Sequence, residues 1–159
     1  MHLNRNEAYS GGAISIGHHL VASLLEVTFV GNYGEARGGA IVIDASDMTI
    51  AGGRFEANVA DLKGGAISVD NGGSLVLQAV TFLSNQAPKG GAVFVGALGR
   101  VDITRSNFRE NTAPGKGGAI STELATINLR DSTFVDNAAE GLGGSLHIDQ
   151  PPSLKISDT

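Results

Sequence analysis

Apolar and polar residues alternate with period two in short stretches that return every 26 or 27 positions along the chain. The first stretch carries the pairs Ile14/Ile16, Ile41/Ile43, Ile67/Val69, Val93/Val95, Ile120/Thr122 and Leu146/Ile148. A second carries Ala22/Leu24, Met48/Ile50, Leu75/Leu77, Val101/Ile103 and Ile127/Leu129, each set seven and five residues before a phenylalanine. The third ends on that phenylalanine, as in Val27-Thr28-Phe29 and Val80-Thr81-Phe82. Alternation puts every second side chain on one face, so each stretch predicts a short strand with one side inward. Sustained 3.6-residue apolar spacing is missing throughout, and no helix is predicted.

Two motifs punctuate the strands. A Gly-Gly pair, a small residue and an apolar residue occur as Gly11-Gly12-Ala13-Ile14, Gly38-Gly39-Ala40-Ile41, Gly64-Gly65-Ala66-Ile67, Gly90-Gly91-Ala92-Val93, Gly117-Gly118-Ala119-Ile120 and Gly143-Gly144-Ser145-Leu146. Phe-x-x-Asn occurs in phase with it, as Phe29…Asn32, Phe55…Asn58, Phe82…Asn85, Phe108…Asn111 and Phe134…Asn137, with Leu3…Asn6 as a degenerate copy. Two residues after the Asn stands Ala8, Ala60, Ala87, Ala113 or Ala139, with Gly34 as the exception.

So strict a period describes one structural unit stacked on itself. Three short strands per unit predict an all-β chain: a right-handed, single-stranded parallel β-helix, a solenoid of about six coils of 26–27 residues with three short strands each. Strands of successive coils pair at about 4.8 Å, so residues of equal phase fall into columns. The Ile14/Ile41/Ile67/Val93/Ile120/Leu146 and Phe29/Phe55/Phe82/Phe108/Phe134 columns are expected inside. The Asn column is expected to form an amide ladder, and Gly-Gly to supply a corner that other residues cannot make. Leucine-rich, propeller and calcium-binding nonapeptide repeats lack their defining patterns here.

Residues 1–159 read as a single β-helix segment. Leu3…Asn6 resembles the tail of one coil, and Leu154/Ile156 match the second strand pair of another. The expectation is an excerpt of a longer solenoid that starts and ends in mid-coil, or ends that associate with other copies.

Composition adds exclusions. With 42% apolar and 17% charged residues, the 23 glycines are turn positions of a folded chain, not marks of disorder. The net charge of −5 is spread along the chain, and no Lys/Arg cluster or basic patch is expected to neutralise phosphates or anionic lipid, so nucleic-acid binding is not expected. Cysteine is absent, which removes disulfides and thiolate metal ligands. No apolar run has membrane-spanning length. Met1–Asn6 has no apolar signal region, so export would rely on a signal further upstream.

Candidate chemistry is sparse. The positions expected to face outward in the first stretch are Ser15, Val42, Ser68, Phe94, Ser121 and His147, and in the second Ser23, Thr49, Val76, Asp102, Asn128 and Lys155. Neither row contains paired carboxylates. Asp44 and Asp47 come closest, and Asp70 and Asp149 share the phase of Asp44. Stacking of Asp44 on Asp70 would suit a weak Ca²⁺ site or a sugar-cleaving acid pair, but turn residues bonded to local backbone are the simpler expectation. His18-His19 reads as a solvated turn and His147 as a surface histidine. Thr28, Thr81 and Thr133 share a phase that Arg54 and Asn107 interrupt, which argues against an ice-matching face. Catalytic, cofactor-binding and metal-ligating residues are therefore all expected to be none.

Gly-Gly-Ala-Ile with Phe-x-x-Asn in one coil resembles the repeats of the chlamydial polymorphic membrane protein family, over nearly the whole chain from Leu3–Asn6 to Leu146, with Gly143-Gly144-Ser145-Leu146 as a drifted copy. The resemblance implies an autotransporter-like passenger at the extracellular or outer-membrane surface, acting as a structural or adhesive module without catalysis. Its expected partner is a protein or glycan, with no cofactor, no direct membrane span and end-to-end self-association of copies. The alternative is a fragment of a β-helical polysaccharide lyase or glycoside hydrolase whose catalytic coils lie elsewhere.

Overall fold

The computed structural model describes residues 1–149 and 153–158, which contain strands and turns and no helix. Three six-stranded parallel sheets run along the stack. The first follows the Gly-Gly corners: Ile14–Gly17, Ile41–Asp44, Ile67–Asp70, Val93–Val95, Ile120–Glu123 and Leu146–Asp149. The second comprises Val21–Leu25, Asp47–Ala51, Ser74–Gln78, Arg100–Thr104, Thr126–Arg130 and Ser153–Ser157. The third carries the phenylalanines: His2–Asn4, Thr28–Val30, Arg54–Glu56, Thr81–Leu83, Asn107–Arg109 and Thr133–Val135. The expected parallel β-solenoid of about six coils is thus the observed architecture. Register follows the repeat without slippage in these three sheets, so Ile67 pairs with both Ile41 and Val93, and Phe82 with both Phe55 and Phe108.

A short fourth ladder lies between Phe-x-x-Asn and the next Gly-Gly. Its strands are Glu7–Ser10, Tyr33–Arg37, Val59–Ala60, Thr112–Ala113 and Ala138–Ala139, linked through single bridges at Gln86. The sequence pattern does not announce it, because two paired residues are too few to alternate. Its inward residues are small: Ala60, Ala87 and Ala113 are buried.

The interior is built from the predicted columns. Phe29, Phe55, Phe82, Phe108 and Phe134 stack with ring centroids 4.7, 4.9, 4.6 and 4.8 Å apart and interplanar angles between 3° and 11°. The spacing is that of the hydrogen-bonded strands carrying them. Ile, Val, Leu and Met columns of the first and second sheets fill the rest of the cross-section.

The asparagine column closes a corner that would otherwise bury unpaired amides. From Asn32 to Asn137, each Asn Oδ1 accepts from the backbone N–H and the side-chain Nδ2 of the Asn one coil earlier; for the Asn58–Asn85 pair both distances are 3.0 Å. The remaining Nδ2 hydrogen of Asn85 goes to the carbonyl of Phe55 at 3.0 Å. The backbone N–H can only donate, so the oxygen must face it, and the amide orientation is settled by the network.

At the Gly-Gly corner both glycines are required. Gly64 sits at φ +65°, and a Cβ on Gly65 would run into the carbonyl oxygen of Gly91 in the next coil. Elsewhere the chain turns through left-handed residues that are not glycine. One corner column holds Glu26, Ala79, Arg105 and Asp131, and another Arg5, Ala57, Ser84, Glu110 and Asp136, all with φ between 49° and 56°. Their N–H groups continue the intercoil bonding, as from Ala79 to Thr104 at 3.0 Å, which helps hold an otherwise disfavoured conformation.

Candidate functional site

The outer face of the first sheet is not the open row that alternation suggests. Val42, Ser68, Phe94 and Ser121 are buried, with Phe94 only 1% exposed. Side chains from the segment before the Gly-Gly pairs reach this face, as Lys63 does over Phe94 and Arg37 and Lys63 do at Asp70, whereas Ser15 in the first coil is exposed. Arg37, Lys63, Lys89 and Lys116 occupy that segment and pair coil to coil through successive parallel bridges. Lys63 lays its ammonium 4.4 Å from the centre of the Phe94 ring, a cation–π contact. Four cations that are dispersed in the sequence thus form one column.

Carboxylates at the strand ends answer that column. Asp44 and Asp70 stand in register, as predicted. Asp70 is buried and accepts from Lys63 Nζ at 2.7 Å and Ser68 Oγ at 2.8 Å, with Arg37 at 3.2 Å. It is therefore neither half of a cation site with Asp44 nor a turn residue bonded to backbone; two cations and a hydroxyl occupy its oxygens. Asp44 accepts instead from Asn71 Nδ2. Further along, Lys89 pairs with Glu123 at 2.7 Å and Lys116 approaches Asp149 at 3.8 Å. Arg37–Asp70, Lys89–Glu123 and Lys116–Asp149 tie one coil to the next, and Lys63–Asp70 lies within one coil.

The second sheet presents its outer face openly. Register aligns Arg100, Thr126 and Ser153 in one row, Asp102, Asn128 and Lys155 in the next, and Thr104, Arg130 and Ser157 in a third. All nine are polar, with three cations against one carboxylate. Arg100 holds Asp102 through Nε at 2.8 Å and Nη2 at 3.1 Å, and Asn128 Nδ2 donates to the same carboxylate. Partial burial acts to raise the Asp102 pKa, but the hydrogen bonds from Arg100 and Asn128, with the guanidinium charge, hold it below the ordinary carboxylate value. Arg100 is correspondingly raised by its bond to Asp102. Arg130 and Lys155 make no ion pair among the described residues. A shallow groove of about 330 Å³ runs between these side chains. On earlier coils the same face carries Val21, Ser23, Leu25, Asp47, Thr49, Ala51, Ser74, Val76 and Gln78, without a cation.

The remaining candidates stay apart. His18 and His19 are exposed at φ 62°, in a solvated turn as expected. His19 and Asp47 line one groove of about 280 Å³, but among the described residues no three His, Cys, Asp or Glu side chains are placed to hold a metal ion. His147 is half-buried rather than open, stacked on Ser121, and neither its Nε2 nor Ser121 Oγ has a hydrogen-bond partner among the described residues. On the third sheet Thr28, Arg54, Thr81, Asn107 and Thr133 share a row, with Arg54 tied to Glu56 at 2.9 Å. No helix among the described residues is long and apolar enough to cross a membrane.

Comparison with known proteins yields one likeness. No curated protein and no solved structure matches the chain. Residues 105–123 match the family model of the Chlamydia polymorphic membrane protein repeat. That segment contains both Phe108…Asn111 and Gly117-Gly118-Ala119-Ile120, the two corners that the asparagine ladder and the glycine contacts build. Within this β-solenoid, residues 105–123 are thus similar to the Chlamydia polymorphic membrane protein repeat.

Proposed function

We propose that the chain is a structural and adhesive repeat module at the outer-membrane or extracellular surface, meeting a protein or glycan partner without catalysis of its own. The observation that carries this reading is the division of labour within each coil. Asn, Phe, Ile and Gly columns are consumed in holding the stack together, and the outward residues of the second and third sheets are what varies from coil to coil. The match of residues 105–123 to a repeat of membrane proteins supports the location. The non-catalytic part draws support from Asp70 and Asp102, whose oxygens are held by Arg37, Lys63 and Arg100. End-to-end association of copies belongs to the same proposal.

Antibodies against the second-sheet face test the location on intact cells making the protein. Labelling without permeabilisation is expected; labelling only after permeabilisation would overturn the reading. Beads coated with the purified chain should adhere to a protein- or glycan-bearing surface more than beads coated with an inert protein.

A further inference from the structure

We infer that the outer face of the second sheet across Arg100–Thr104, Thr126–Arg130 and Ser153–Ser157 binds an acidic polysaccharide, with Arg130 and Lys155 taking its carboxylate or sulfate groups. The inference rests on the surface-module reading for the setting in which such a polymer would be met.

Three observations converge on it. First, a chain of net charge −5 concentrates three cations on one nine-residue face and puts none on the earlier coils of the same sheet. Second, Asp102 is already engaged by Arg100 and Asn128, so it braces the face while Arg130 and Lys155 remain unpaired among the described residues. A guanidinium is suited to a carboxylate or sulfate in forked geometry, and an ammonium serves as a point charge beside it. Third, hydroxyls of Thr104, Thr126, Ser153 and Ser157 and the amide of Asn128 surround the cations. Their rows repeat at the strand spacing of about 4.8 Å, close to the length of one pyranose unit, so a polymer lying along the axis meets equivalent positions in each coil.

Other anionic polymers fit less well. Three cations, one of them already paired, are few for the phosphate density of nucleic acid. A lipid surface would need apolar side chains to insert, and all nine positions are polar.

The test uses the purified chain and four probes: polygalacturonate, dextran sulfate, neutral dextran and single-stranded DNA. Arg130→Ala with Lys155→Ala is the site variant, and Arg54→Ala with Arg109→Ala on the third sheet is the control. Circular dichroism and thermal unfolding check that both fold. Expected is salt-sensitive binding to at least one acidic polysaccharide, reduced about tenfold or more in the site variant and kept in the control, a loss of the size expected for removing charged contacts. Binding by only one of the two polymers identifies carboxylate or sulfate as the recognised group. No acidic polysaccharide bound, equal losses in both variants, an unaffected site variant, or DNA bound as tightly would each overturn the inference. Such a failure alongside positive labelling of intact cells would leave the surface-module reading standing.

Discussion

Asn58 donates to Asn85 Oδ1 twice, once from its backbone N–H and once from its side-chain Nδ2, each at 3.0 Å. One oxygen in one coil thereby closes two donors in the previous coil. Asn85→Ala would strand the buried Asn58 N–H and leave the Phe55 carbonyl without its Nδ2 donor. An unsatisfied buried group costs about 1–3 kcal/mol, so the variant should lose roughly 3–5 kcal/mol in all. Asn6 at the edge serves fewer partners, and Asn6→Ala should cost about 1 kcal/mol. Urea unfolding of both variants decides it; equal losses would mean that the ladder is not cooperative across coils.

Gly65 and Gly91 meet through the missing Cβ of Gly65 and the carbonyl oxygen of Gly91. Gly65→Ala must separate two coils or distort the corner, and a loss of about 3 kcal/mol or more is expected. A thermal midpoint within about 2 °C of the parent, no more than the shift that about 1 kcal/mol produces at this size, would show that the corner yields easily.

Ala79 gives the opposite sign. It is exposed at φ 54°, so no packing is lost on substitution. Relief of the left-handed conformation is worth about 1–2 kcal/mol, against about 0.5–1 kcal/mol for the extra freedom of glycine in the unfolded chain. Ala79→Gly should therefore be neutral to stabilising by about 1 kcal/mol. Ala66→Gly, which empties a buried position, should destabilise. A loss of stability in Ala79→Gly would disprove strain at this corner.

Tyr33 donates its hydroxyl to Asp61 Oδ2 at 2.6 Å, and its pKa is pushed up to about 12, chiefly by that hydrogen bond, then by desolvation and the charges of Asp61, Glu35 and Glu7. The folded value lies above the ordinary 10.0, so the protonated phenol favours the fold. The contribution is complete below pH 10 and fades as the pH rises towards about 12. In a Tyr9→Phe background, phenolate absorbance should report a titration near the upper value, and Asp61→Asn should bring it down. An unmoved titration in Asp61→Asn would remove the carboxylate as the cause.

Fold class, period and interior columns were all legible in the sequence, because a stack repeats each inward contact at a fixed phase. Ile41, Phe55 and Asn58 stand where their spacing puts them. The second-sheet residues Asp102, Asn128 and Lys155 were likewise read correctly as outward. Val42, Ser68, Phe94 and Ser121 were expected to face outward and are covered. Alternation reports which side of a strand a residue occupies, not whether side chains of another segment reach that side. Asp70 was misjudged for the same reason, since its partners Arg37 and Lys63 stand on the segment before the Gly-Gly pairs.

By itself the sequence determined that this chain is a parallel β-solenoid and which residues line its inside, because hydrogen-bonded strands with a strict repeat admit one register. Only the tertiary structure decided which outward surface is open. It brought side chains of the Arg37–Lys116 column to the first sheet and aligned Arg100, Arg130 and Lys155 across three strands of the second. The physical reason is that side chains some 26 residues apart become neighbours only when coils stack at about 4.8 Å. Charge must be counted along the columns of the stack before it describes a surface.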